Sequence, residues 1–274
     1  MTEPAPSTGT TPGAVLFDVD GTLVDTVYQH VLAWWEAFSE AGHAVSCFDI
    51  HRAIGRGSRD LVESLIGTSD DVLTEAHSAK WAELRERTTA FHQVPELLAR
   101  CAERGLTVVL CTSGEGPDLE FFVKAIGGDG PVHDIVSSED VEQSKPSPEI
   151  VAKAVQAAGV PAERCVMIGD TVYDIRAAAG AGVRGIGLLC GGIGERELRD
   201  AGAAAVYGNP SELLASFDDW APVESSGANR SPSSSTRAST SSLVKTRSAG
   251  VRHASTSSQV TGVDTVGRDR ARSE

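Results

Sequence analysis

The spacing of apolar residues changes period twice along this chain. Residues 14–20, AVLFDVD, form a short apolar, β-favouring run of the kind buried on both faces of a parallel sheet, and the run ends in aspartates. Helical spacing follows: Val27, Val31, Trp34, Trp35 and Phe38 recur until Gly42, with Asp25 or Thr26 placed to cap the start. Two more helical stretches span 58–67 and 70–90, and little strand character appears between 26 and 90. From 94 the pattern alternates: helix 94–104 closed by Gly105, strand LTVVLCT, helix 117–126, short strand DIVS and helix 147–158. Strand CVMIGD, helix 172–181, strand VRGIGLL, helix 195–201, short strand AAAVY and helix 210–217 complete it.

Strands separated by helices require crossover connections, so the pattern predicts an α/β fold with a Rossmann-like parallel sheet core. The first strand belongs to that sheet, and residues 26–90 read as an all-helical cap inserted after it. The core then comprises 14–25 and 91–222, behind a flexible leader at 1–13. Residues 223–274 hold 20 Ser or Thr with scattered Arg, too little apolar surface to offset the entropy of ordering, and are expected to be a disordered tail. A functionless extension is the plainer reading of that tail than a regulatory arm.

Charge sharpens the division. Residues 1–222 carry 34 acids against 16 bases, a balance of −18, and 223–274 carry four against eight, a balance of +4. An acidic body argues against nucleic acid as the main partner. No apolar run approaches the roughly 18–20 residues of a spanning helix, and the opening MTEPAPSTGTTPG lacks a basic and an apolar signal region. The expected location is the cytoplasm, as a monomer or homodimer. Five widely spaced cysteines without a CxxC pair read as reduced core residues, and the seven histidines show no zinc-site clustering.

Ligands of parallel sheets bind at the carboxyl ends of the strands. There this chain places Asp18 and Asp20, then Thr112 and Ser113, then Asp170 with Asp174 four residues on; Lys145 lies in the proline-flanked loop SKPSP. So many acids converging on one edge call for a hard divalent ion such as Mg²⁺, with the lysine and hydroxyls free for phosphate oxygens. Two carboxylates two residues apart leave a strand end on opposite sides unless the chain turns, which Gly21 permits, and such a pair can divide nucleophilic attack from proton transfer.

DVDGTLVD, the TS at 112–113, KPSP at 145–148 and GDTVYD at 169–174 resemble the four ordered motifs of the haloacid dehalogenase-like superfamily, in its phosphoglycolate phosphatase-like branch with a helical cap. The resemblance spans residues 14–217. It implies Asp18 as a nucleophile forming an aspartyl-phosphate, and Asp20 as general acid/base whose backbone carbonyl also ligates Mg²⁺. It further implies Thr112 and Lys145 on the phosphoryl oxygens, with Gly21 and Ser113 beside them, Asp170 as metal ligand and Asp174 supporting the metal. The substrate implied is a small phosphorylated metabolite, taken by a Mg²⁺-dependent phosphatase.

Three features stand beside that pattern. HQVPELL replaces the usual Pro-Gly at the return from the cap, and Glu115 adds negative charge near the site. Arg56 and Arg59, in the glycine-containing cap loop GRGSRD, can bind a carboxylate or second phosphate bidentately, though solvated surface arginines are an equally plain reading. Asp25 reads as the start of the cap, and Trp34, Trp35, Trp81 and Phe38 as cap packing. The rivals are a β-phosphoglucomutase-like mutase, with Arg59 holding a distal phosphate; a haloacid dehalogenase, which leaves Asp20 and Asp170 unexplained; and a phospho-accepting receiver domain, which lacks the cap.

Overall fold

The computed structural model describes residues 13–222 of the 274. The leader up to residue 12 and the tail from 223 lie outside the described residues, so the expectations placed on them concern sequence alone. In chain order the first elements are β1 (Ala14–Phe17), α1 (Val27–Glu40), α2 (Cys47–Ala53), α3 (Ser58–Ile66) and α4 (Asp71–Leu84). There follow α5 (Val94–Glu103), β2 (Thr107–Cys111), α6 (Pro117–Ala125), β3 (Asp134–Val136), α7 (Glu149–Ala158), β4 (Cys165–Gly169) and α8 (Val172–Gly180). The chain continues through β5 (Arg184–Leu188), α9 (Glu195–Asp200), β6 (Ala205–Tyr207), α10 (Pro210–Ala215) and α11 (Phe217–Trp220).

All six strands pair in parallel, in the order β3-β2-β1-β4-β5-β6. The order reverses between β1 and β4, and such a switch point opens a crevice at the strands' carboxyl ends. Side chains alternate across the sheet. Val15, Phe17, Val108, Leu110, Val166 and Ile168 pack on one face with α5 and the Phe217 and Trp220 rings. Leu16, Val109, Cys111, Cys165 and Met167 pack on the other with α7 and α8.

The four helices α1 to α4 lie between β1 and β2 in sequence and share their own apolar cluster, including Val31, Trp34, Phe38, Ile50, Leu61 and Leu73. The chain leaves for these helices and returns beside itself: Asp25 N donates to Thr89 O at 3.0 Å and Phe91 N to Leu23 O at 2.9 Å. The return turns at Gln93, whose φ of 62° makes it the one non-glycine in the left-handed region among the described residues. This is the HQVPELL segment that departs from the Pro-Gly pattern.

Several expectations are corrected. Helix α2 was not anticipated: only Ile50 and Ala53 of its seven residues are buried, too short a stripe to show a period. The stretch 70–90 ends as α-helix at Leu84, with a single 3₁₀ turn after it. Trp35 is not cap packing; it is 42% exposed, one position off the buried stripe of α1. Of the cysteines, Cys101, Cys111 and Cys165 are buried, whereas Cys190 is half-buried and Cys47 exposed.

Candidate active site

β1 stops at Phe17, so Asp18 begins the turn rather than the last strand position, and Gly21 completes it at φ 78° with its N–H on Val24 O. Asp18 is buried beside Lys145, whose Nζ pairs with Asp18 Oδ1, lies 2.8 Å from Asp174 Oδ1 and donates to Cys111 O at 3.1 Å. Asp174 sits in the first turn of α8 and closes a capping box: Thr171 donates its N–H at 3.0 Å and its hydroxyl at 2.6 Å to Asp174 Oδ2. A residue that caps its helix with one oxygen therefore presents the other to the lysine.

Asp170, directly after β4, accepts from Thr22 Oγ1 at 3.0 Å through Oδ1, while its buried Oδ2 has no hydrogen-bond partner among the described residues. That oxygen is tightly enclosed, because a Cβ at Gly191 would fall 1.7 Å from it and one at Gly21 2.5 Å. Single carboxylate oxygens of Asp18, Asp170 and Asp174 lie within 4.8 Å of one another. Burial, then the charge of Asp18 and Asp174, pushes Asp170 well above the ordinary carboxylate range. Burial likewise raises Asp18 to about 7, against the lowering effect of Lys145 and with Asp174 and Asp20 adding to the rise. For Lys145 burial alone would lower the value, but Asp174 and Asp18 outweigh it and raise it. Three buried acids facing one lysine, two of them raised for want of further positive charge, and an orphaned oxygen make a donor set that fits a hard divalent cation.

Asp20 is held differently, and its carboxylate is outside that three-acid group. Its Oδ1 receives the Thr26 hydroxyl at 2.8 Å and lies 3.2 Å from His30 Nε2; its Oδ2 is 3.5 Å from the Thr112 hydroxyl. Burial would raise its pKa, but the His30 contact and the Thr26 hydroxyl outweigh it and lower the value. Thr112 is fully buried and its Oγ1 also accepts from Gly114 N at 2.9 Å.

A cavity of about 100 Å³ opens over Asp18 and Asp20, lined among others by His30, Trp34, Arg56, His77, Trp81 and Ser113. Arg56 lies 4.7 Å above the Tyr173 ring, its buried Nε without a partner among the described residues. Arg59 is elsewhere: its exposed side chain pairs with Asp71 at 3.1 Å and is absent from the cavity lining. The structure thus gathers Asp18, Asp20, Gly21, Thr112, Ser113, Lys145, Asp170 and Asp174 at the switch point, with Arg56 over them. Sequence reasoning missed His30 and His77. Their signal was present as two HxxxW runs, HVLAW at 30–34 and HSAKW at 77–81.

A sequence model of haloacid dehalogenase-like hydrolases matches residues 12–182. The phosphoglycolate phosphatase of Pseudomonas putida is 30% identical over 204 residues, 67% of this chain and 71% of that protein. Protein CbbY of Cereibacter sphaeroides is 31% identical over 231 residues, covering 77% of this chain and 98% of its own. Among solved structures, a hydrolase from Pseudomonas syringae superposes with a TM-score of 0.73 at 34% identity, over 76% of this chain and 99% of that one.

Proposed function

The chain belongs to the haloacid dehalogenase-like hydrolase family, and from that premise we propose that it is a Mg²⁺-dependent phosphatase hydrolysing a small phosphorylated metabolite, phosphoglycolate- or sugar-phosphate-like, through an aspartyl-phosphate at Asp18. The observation that carries this reading is the split between two aspartates two residues apart. Asp18 is buried against Lys145 and two acids, while Asp20 is held apart by Thr26 and His30. Paired carboxylates in opposed environments are how one site runs nucleophilic and acid/base chemistry together.

Asp18, Asp170 and Asp174, with the backbone carbonyl of Asp20, would hold the Mg²⁺, which supplies positive charge against the phosphoryl oxygens and the clustered acids. Lys145 orients Asp18 through its contact with Oδ1 and favours the ionised form that attacks phosphorus. At Asp20, Oδ1 is held by Thr26 and His30, so Oδ2, approached by the Thr112 hydroxyl at the longer distance of 3.5 Å, is the oxygen that gives a proton to the leaving alkoxide and takes one from water in the second step. An arriving phosphate raises the proton affinity of Asp20 by placing like charge beside it. Trp34, Trp81 and the cap residues around the cavity exclude bulk water from the phosphoryl group.

The cavity size supports a small ester, and the single guanidinium lining it, Arg56, supports one further anionic or hydroxylated group. Hydrolysis is favoured over a mutase reaction because Arg59, the candidate for a distal phosphate, is turned to Asp71. The test uses the full-length protein with Mg²⁺, p-nitrophenyl phosphate and a panel of small phosphate esters. Asp18→Asn should lower turnover by at least about a thousandfold, on the scale of nucleophile loss in other covalent catalysts. Turnover by Asp18→Asn as fast as by the parent would refute the mechanism.

A further inference from the structure

The two HxxxW runs meet in space. Helices α1 and α4 pass in opposite senses, so each imidazole lies on the other helix's indole. His77 stacks on Trp34 with ring centroids 4.0 Å apart and 9° between planes, and His30 stacks on Trp81 at 4.0 Å and 28°. These stacks fix both ring planes and leave only the ring edges to choose partners. His30 is engaged at both nitrogens, Nε2 at 3.2 Å from Asp20 Oδ1 and Nδ1 at 3.1 Å from His77 Nε2. His77 Nδ1 is buried and has no partner among the described residues.

With both rings neutral, one arrangement of the ring protons satisfies these contacts. The Asp20 carboxylate only accepts, so His30 Nε2 must carry a proton. A neutral His30 then has a lone pair on Nδ1, and His77 must donate to it from Nε2. That leaves a bare lone pair at the unpartnered His77 Nδ1. The opposite tautomers would set two acceptors face to face at Asp20 and bury an N–H at His77 with nothing to receive it, which is the costlier omission. Burial, then the neighbouring His30, holds His77 well below the usual imidazole range, so the ring stays neutral.

We propose that His77 is a positioning residue for the reaction: by donating Nε2–H to His30 Nδ1 it locks His30 in its Nε2–H tautomer, which in turn pins Asp20 Oδ1 and reserves Oδ2 for the leaving-group proton. The proposal rests on the reading of Asp20 as general acid/base.

¹⁵N NMR of the full-length protein, with and without Mg²⁺, reads each ring nitrogen as protonated or bare. Both rings should carry the proton on Nε2 with His30 Nδ1 bare; a bare Nε2 or a protonated Nδ1 at His30 overturns the proposal without any variant. Two substitutions extend the test, His77→Leu, which fills the space without a donor, and His77→Gln, which keeps an amide N–H. In His77→Leu the His30 ring should show mixed tautomers. Its kcat on p-nitrophenyl phosphate should fall about ten- to hundredfold, part of what a general acid/base contributes, with KM within about twofold. His77→Gln should recover most of that loss. Equal kcat in the two variants, or an unaltered His30 tautomer in His77→Leu, overturns the proposal, since a packing role would separate them only in melting temperature. Failure of the underlying reading looks different: Asp20→Asn would then turn over as fast as the parent while the ring spectra stayed as described.

Discussion

Asp170→Asn isolates the charge that the metal-free fold tolerates least. The Asp170 side chain is buried, its Oδ2 has no partner, and it shares the site with Asp18 and Asp174 at separations of no more than 4.8 Å. Two unit charges at that distance repel by roughly 3.5 kcal/mol at an effective dielectric of about 20. Lys145 offsets part of this for Asp18 and Asp174, the two carboxylates with which it pairs. Protonation of the cluster limits the cost, so removing the charge isosterically should stabilise the metal-free protein by about 2–3 kcal/mol. Asparagine keeps the acceptor for Thr22 and can aim its NH₂ at the neighbouring carboxylates. For a folded body of this size each kcal/mol moves the melting midpoint by roughly 2–4 °C, so the variant should melt about 5–10 °C above the parent in EDTA.

Mg²⁺ should erase or invert that order. A cation at about 100 times its Kd stabilises the parent by roughly 2.7 kcal/mol, and the variant, lacking one carboxylate ligand, gains less. The assay is a melting series of both proteins across a Mg²⁺ titration, followed by circular dichroism. A variant no more stable than the parent in EDTA would refute the electrostatic account of the cluster. An equal Mg²⁺-induced shift in both proteins would refute the assignment of Asp170 as a ligand.

Two further predictions concern the same cluster. Asp18, raised to about 7 against an ordinary 3.8, binds a proton more tightly folded than unfolded, so its contribution to stability is complete below about pH 4 and is lost as pH rises through 7; urea midpoints in EDTA should fall between pH 4.5 and 7.5, and a midpoint that rises there would contradict the raised value. Gly191→Ala places a Cβ 1.7 Å from Asp170 Oδ2, so the carboxylate must move; calorimetric Mg²⁺ binding should be lost and kcat should drop about a hundredfold, the scale of a misplacement of about 1 Å, whereas unchanged Mg²⁺ affinity would show that Oδ2 is not the liganding atom.

Much of the core was legible because parallel strands announce themselves as continuous apolar runs and chemistry collects where those runs stop. Asp18, Thr112 and Asp170 could be placed at one edge from strand ends alone, and the observed strand order puts β1 and β4, which carry two of them, side by side at the switch point. The cap was less legible, and for physical reasons. His30 and His77 are 47 positions apart and meet only because α1 and α4 pack together, so neither helix's own period reveals the pair. Arg59 was drawn toward the site by the flexibility of GRGSRD, but a neighbouring acid on α4, Asp71, claims its guanidinium. Trp35 shares its type with Trp34 but stands about 100° around the helix, where the stripe ends.

The turn from strand to cap shows why local rules failed where they did. Thr26 stands at the N-cap of α1, the position where a hydroxyl ordinarily accepts from the helix's first free N–H groups, yet its side chain makes no capping bond. The hydroxyl goes instead to Asp20 Oδ1 at 2.8 Å. Forgoing that cap costs α1 about 1 kcal/mol of local stability. The loss is tolerable because α1 is held by tertiary packing, with Val27, Val31, Trp34 and Phe38 buried in the cap cluster. The same helix then supplies His30 one turn later, so two successive turns of α1 serve one carboxylate oxygen. Helix α1 is therefore anchored to Asp20 by hydrogen bonds, and any displacement of α1 must break or carry the contacts that hold the Asp20 carboxylate.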